Sequence, residues 1–341
     1  MQCYKLSFRH RLISLIAAFL CATTTTGFAA DSAVVLLYPR LFASGATAEN
    51  SGVRMRRLDD HLAELTGGSY RVLSLAEIVA AFRSGKALPD RTLALTFDES
   101  SLILYRDAWP RFKAAGIPFA VFVAPHDVGG SGAMTWNQLR EMKAAGVTIG
   151  LRPALAAAES ISEEQATAEL NRAADIFAAE LGARPGLIAW SSGEVSAKGM
   201  RAAKDAGFSA GFGQHSGAAW AGLDPFYLPR FAITEEYADL DRFRRVAAAL
   251  PLPASDITPA NPRLEQNPPP FGFTLAEDFP NLEQLACFSA HDGRMKIELL
   301  GNRIEARMGK PFPPGRGRIN CTLPNGDGRW RWFGYQWSVA R

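Results

Sequence analysis

From residue 31 to about residue 258 the chain alternates short apolar runs with longer stretches of helical period. Val34–Tyr38, Thr92–Phe97, Pro118–Ala124, Val147–Leu151, Leu187–Trp190 and Ala210–Gly213 are predicted strands. Between them Leu102–Ala115, Trp136–Ala145, Glu163–Leu181 and Ser196–Ala206 are predicted helices, with Gly116, Gly146, Gly182 and Gly207 where their C-termini should stop. Alternation of this kind predicts an α/β fold with a mostly parallel sheet, open or closed into a barrel. In such folds function sits at the C-terminal ends of the strands.

The pattern changes near residue 259. Pro259, Pro262, Pro268, Pro269 and Pro270 cannot continue a helix or a central strand, so residues 259–270 read as a Pro-rich linker. Beyond it, Met295–Leu299 and Arg303–Arg307 alternate around Gly301-Asn302, which is a hairpin pattern. The expected organisation is therefore a leader (residues 1–30), an α/β domain (31–258), the linker, and a small β-rich domain (271–341).

The first 30 residues have the form of a secretory signal: Lys5, Arg9 and Arg11, then the apolar run from Leu12 to Ala22, then Gly27-Phe28-Ala29. A run of about 11 residues is too short to cross a bilayer core that needs roughly 20. The expectation is an exported protein, periplasmic or secreted, with no membrane span. Those three cations also account for the whole formal charge of +3, leaving 34 basic residues to balance 34 acidic ones. A nucleic-acid-binding surface spread over the protein is not expected. Cys287 and Cys321 remain beyond the leader, either paired in an oxidising compartment or buried as separate thiols.

One strand ends in two carboxylates, Thr96-Phe97-Asp98-Glu99. Ionising both at a buried strand end is costly unless a cation or hydrogen-bond donors answer them. The pair is either a general base beside a metal ligand or an ordinary polar turn. The surrounding sequence favours the first. Leu37-Tyr38-Pro39-Arg40, Thr96-Phe97-Asp98-Glu99 and Thr135–Met142 resemble successive motifs of the NodB-type polysaccharide deacetylases, carbohydrate esterase family four. Gly213–Gly217 and Leu228-Pro229-Arg230 resemble segments of a secreted proteobacterial branch of that family. The resemblance implies a distorted (β/α) barrel that removes acetyl groups from sugars with one divalent metal, so an acetylated polysaccharide is the expected partner. The first Asp of the motif would be the base; the second Asp and two histidines would hold the metal, which polarises the carbonyl and activates water.

The sequence departs from that pattern at most chemical positions. Asp98 stands at the base position and Glu99 at the metal-Asp position, but Arg152 and Ala156 occupy the two histidine positions, and no histidine lies between His126 and His215. Pro39 replaces the histidine of the opening motif, and Ala189–Gly193 reads Ala-Trp-Ser-Ser-Gly where the family shapes its sugar pocket. A catalytic zinc usually takes three protein ligands, so no metal is expected. The Arg152 guanidinium is expected to take the metal's place and pair with Asp98 and Glu99. His61 is read as a surface residue of an amphipathic helix. Trp190, His215, Trp220 and Arg230 are the candidate sugar contacts, the first three near the barrel mouth. Trp330 and Trp332 share a strand face, as core or as a stacking platform. Two readings follow: a non-catalytic descendant that binds an acetylated polysaccharide, or a hydrolase with a rebuilt site. The second would use Asp98 as base, with Arg152 on the oxyanion or a zinc ion held by unusual ligands. A structural partner of an active homologue is a third.

Overall fold

The computed structural model describes residues 32–45, 52–154 and 161–340. The expected leader and Ala156 lie outside the described residues. A nine-stranded sheet forms the N-terminal part. Its strands are β1 (Ser32–Tyr38), β2 (Arg71–Val72), β3 (Thr92–Phe97), β4 (Ala120–Val123), β5 (Thr148–Leu151), β6 (Leu187–Ala189), β7 (Ala210–Phe212), β8 (Ala219–Trp220) and β9 (Phe231–Ala232). From β1 the order runs β3, β4, β5, β6, β7, all parallel. The six predicted strands all form, within a residue or two of their predicted ends. β1 and β3 are buried along their whole length, as strands covered on both faces must be, and their residues are accordingly apolar apart from Ser32, Thr92 and Thr96.

Alternation sorts the side chains. Val34, Leu36 and Tyr38 join the larger core under the surrounding helices. Ala33 and Val35 face a second core with Ala94, Ala120 and Phe122. Helix α2 (Leu75–Ser84) packs into this second core through Leu75, Ile78 and Val79. The seam between β7 and β1 is filled by the chain segment leading into β9. Leu228 exchanges backbone hydrogen bonds with Gly211 and Gly213, and Phe231 pairs with Leu36. The sheet thereby curls into the expected distorted barrel.

Helix α1 (Met55–Gly67) holds one surprise. His61 is fully buried, not on the surface. Its imidazole stacks on Phe243 with centroids 4.1 Å apart, Nδ1 lies 3.0 Å from the Tyr38 hydroxyl, and Nε2 lies 2.9 Å from the Ala238 carbonyl. Helix α7 (Leu240–Ala247), which carries Phe243, covers the helix face that the local sequence alone leaves open.

The C-terminal part is a sandwich of two sheets. Its strands are β10 (Leu250–Pro251), β11 (Ala254–Thr258), β12 (Phe271–Leu275), β13 (Ala286–Ser289), β14 (Gly293–Arg294), β15 (Lys296–Leu300), β16 (Arg303–Arg307), β17 (Gly315–Pro324) and β18 (Trp330–Val339). One sheet has the order β10-β18-β17-β13-β14, the other β11-β12-β16-β15. Their facing aromatics fill the interior: Phe271 against Trp337 at 5.5 Å and Phe273 against Phe333 at 5.0 Å. Cys287 and Cys321 lie directly opposite each other on β13 and β17 and form a disulfide. The predicted hairpin is β15–β16, turning at Gly301 with φ 63°. Residues 259–270 join β11 to β12, which pair within one sheet. The segment packs on the sandwich, with Leu264 buried and Asn267 exchanging hydrogen bonds with the Phe312 backbone. The prolines interrupt the ladder inside the β-rich part, whose strands begin at Leu250, ahead of the segment read as a linker.

Candidate active site

Period-two alternation decides which acid tops the barrel. Ala94, Thr96 and Asp98 share one face of β3 and its extension, and Ala94 lies in the inner core. Phe97 turns the other way, onto Tyr38 and Phe119. Asp98 is 8% exposed, and a carboxylate so placed needs partners. Arg230 supplies a bidentate pair, Nη1 to Oδ1 at 2.6 Å and Nη2 to Oδ2 at 2.8 Å. Gln214 donates a third bond to Oδ2 at 3.3 Å.

Arg230 is itself fully buried. Its Nε donates to the Gly213 carbonyl at 2.9 Å and its Nη1 also to the Thr96 hydroxyl at 3.1 Å. The guanidinium lies over the Phe122 ring, 5.4 Å from the centroid. The closing segment between β7 and β1 delivers it, since the Arg230 amide donates to the His215 carbonyl. The partner of Asp98 is thus a residue predicted as a sugar contact, and it stands on the seam of the barrel.

Glu99 faces the loop after β1. Its Oε1 accepts from the Leu41 amide at 2.8 Å and the Ser101 hydroxyl at 3.0 Å, and Oε2 lies 3.5 Å from Arg40 Nε. Burial pushes the Glu99 carboxyl above the usual carboxylate range, against the opposing pull of these donors.

Arg152 does not pair with Asp98 or Glu99 as expected. Its Nη2 binds Asp127 Oδ2 at 2.8 Å. The reason lies in the strand order: β4 stands between β3 and β5, and Asp127 sits on the turn that follows β4. The acid of the neighbouring strand intercepts the guanidinium at the end of β5. His126, exposed on the same turn, lies 3.3 Å from Asp127.

The other candidate contacts scatter. Trp190 is 1% exposed, with Nε1 donating to the Phe226 carbonyl at 2.8 Å; it is core rather than the wall of an open mouth. Trp220 pairs with Ser32 at the start of β1, whereas Asp98 follows the strand end that pairs with Tyr38, so the two lie at opposite ends of the barrel. His215 is 4% exposed, packed between Tyr227 and Tyr335 with centroids 4.5 and 6.0 Å away. Burial, followed by the nearby Arg318 and Arg230 charges, lowers its pKa to about 3, so the imidazole is neutral. Trp332 is a junction residue, edge-on to Phe231 at 5.1 Å. Gln214 and Asp127 were not singled out in the sequence; nothing in spacing marks them.

The residues at the mouth do not fit a catalytic metal. Asp98 is taken up by Arg230 and Gln214, Glu99 by the loop after β1, and position 152 carries a cation. Ala156 has no donor atom to offer. Among the described residues no group of three or more His, Cys, Asp or Glu is placed to hold an ion.

Comparison with known proteins agrees with the architecture. The polysaccharide deacetylase family model matches residues 85–211. The Bacillus subtilis (strain 168) protein YxkH, named among polysaccharide deacetylases, is 21% identical over 195 residues, covering 57% of this chain and 70% of that protein. The structure of Streptococcus pyogenes deacetylase PplD in complex with acetate superposes with a TM-score of 0.57 at 20% identity, over 63% of this chain and 98% of that one. IcaB from Ammonifex degensii does so with a TM-score of 0.57 at 23% identity, over 64% and 97%. At these identities the two structures speak for the shared fold. Residues 85–211 thus carry a match to the polysaccharide deacetylase model, within a barrel of the fold seen in those deacetylase structures.

Proposed function

We propose that this protein binds an acetylated polysaccharide of the cell envelope and lacks the metal-dependent deacetylation of the polysaccharide deacetylase family. One observation carries the reading. The half of the site that would hold a base survives as Asp98 clamped by Arg230, whereas the half that would hold a metal is rebuilt as ion pairs and a loop anchor. A fixed cation at position 152, with its own carboxylate partner, disfavours a divalent ion beside it. Export to the periplasm or beyond is part of the proposal, supported by the leader pattern of residues 1–30 and by the Cys287–Cys321 disulfide.

The test is a paired assay on acetylated chito- and xylo-oligosaccharides, with and without added zinc. Retention of oligosaccharide with no acetate release above buffer is expected in both conditions. Zinc-dependent acetate release would contradict the reading. Zinc-independent release abolished in Asp98→Asn would replace it with the rebuilt hydrolase.

A further inference from the structure

Between the barrel and the sandwich lies a cavity of about 300 Å³ that shares no residue with the Asp98 cluster. The barrel contributes His215, Trp220 and Tyr227 to its lining, and the sandwich contributes Trp332 and Tyr335. Its rings are fixed in place. Tyr227 donates its hydroxyl to the Gly193 and Gln336 carbonyls, and Tyr335 donates to the Ala260 carbonyl at 2.7 Å. Their polar ends are thus spent on the backbone while their faces remain beside the cavity.

Two lining residues each carry a buried polar atom without a partner, Trp220 Nε1 and His215 Nδ1, the latter packed against Gly213. Buried polar groups are nearly always satisfied, so each one left over calls for an account. Two exposed carboxylates, Asp224 and Asp256, complete the lining, and no Lys or Arg belongs to it.

The chemistry narrows by elimination. An anion would meet the two rim carboxylates with no cation in the lining. A cation in the depth would meet the field of Arg318 and Arg230, which already acts on His215. A purely apolar molecule would bring no donor to the Asp224 and Asp256 carboxylates. A neutral ring with hydroxyl groups fits all three conditions. Hydroxyls can donate to the two carboxylates, while the C–H face of a sugar ring packs on aromatic surfaces. The volume is at the small end of ligand clefts, which run from about 300 to 1,000 Å³, and suits a sugar ring rather than a long chain.

We infer that this interdomain cavity is the protein's sugar-binding site, taking a neutral pyranose unit at the end of a glycan. The inference rests on the polysaccharide-binding reading above and moves the binding from the barrel mouth to the junction with the sandwich.

The experiment is isothermal titration of the full chain with tetrasaccharides of N-acetylglucosamine, glucose and xylose, and with their acetylated forms. It is repeated with Trp220→Phe, Asp256→Asn and Asp98→Asn. Trp220→Phe keeps an aromatic face but removes the five-membered ring with its N–H, and circular dichroism checks that each variant is folded. Binding that weakens about tenfold in Trp220→Phe and is unchanged in Asp98→Asn is expected. Binding lost in Asp98→Asn and untouched in Trp220→Phe and Asp256→Asn overturns the inference and leaves the polysaccharide reading standing. Cavity-dependent binding that ignores acetylation keeps the inference and overturns the acetyl part of that reading. No binding by any of these sugars at 10 mM (about 3 kcal/mol or less of affinity) overturns both.

Discussion

At the barrel mouth every charged group that the sequence singles out ends in a pair: Asp98 with Arg230, Glu99 with Arg40, Arg152 with Asp127. In the crevice between barrel and sandwich the walls are aromatic, and two buried polar atoms have no partner. The first arrangement pairs its charges with one another, leaving the buried Arg152 Nε without a hydrogen-bond partner. The second sets fixed ring faces beside two exposed carboxylates, Asp224 and Asp256. Charged side chains at strand ends here tie the barrel mouth together, while the crevice that no motif marks is lined by aromatic rings.

The largest effect that separates the two regions is thermodynamic. Arg230→Met leaves Asp98 buried without its cation and should cost about 3–5 kcal/mol, read from the shift of the urea midpoint. Trp220→Phe in the crevice, a large-to-small change at a half-buried side chain, should cost less, about 1–2 kcal/mol. Equal losses would break the comparison, because the mouth would then not be a buried network.

The disulfide sharpens it next. Cys287 and Cys321 are 34 residues apart in sequence, and a loop of that size contributes about 3–4 kcal/mol by closure entropy. Replacing both by Ala should lower sandwich stability by that order in a denaturation experiment under oxidising conditions. A change below about 1 kcal/mol would show that the sandwich does not depend on the crosslink.

Acid separates the regions by sign. Burial holds His215 neutral with its pKa lowered to about 3, and likewise His61 at about 4. An unfolded chain takes up those protons near pH 6.5, so each histidine makes stability fall as pH drops from about 6.5 towards its folded value, by up to about 1.4 kcal/mol per pH unit. Glu99 acts oppositely: its raised pKa favours the folded state in acid and loses that contribution as pH rises through its folded value. Urea unfolding at pH 4.5 and 7 should show His215→Gln losing less stability on acidification than the parent. Glu99→Gln should lose more than the parent on the same change. A parent whose stability is flat from pH 7 to 4.5 would contradict the assignment of neutral, buried histidines.

Much of the barrel was legible because its signals are local. Strand runs are short and apolar, and helices α3 (Trp109–Ala115) and α5 (Glu163–Leu181) end at Gly116 and Gly182, both with positive φ where a Cβ would be strained. The hairpin at Gly301 was legible for the same reason. Side-chain pairing was not. Arg230 reaches Asp98 across 132 positions of sequence, and only closure of the seam brings them together. Arg152 was given the wrong acid because the sequence does not say that β4 lies between β3 and β5. His61 was misread because its covering helix α7 comes from far along the chain. The crevice was invisible for the most physical reason: its walls come from β8, from the segment around Tyr227 and from β18, and none of their spacings carries meaning until the sandwich has docked.

The central claim is that the metal half of the family's site is gone. Its most direct test is the metal content of the purified full-length protein after separate incubation with zinc, cobalt and nickel and removal of free ion. The account predicts well below one ion per chain for each metal, with no change in Glu99→Gln. About one ion per chain, lost in Glu99→Gln, would contradict it.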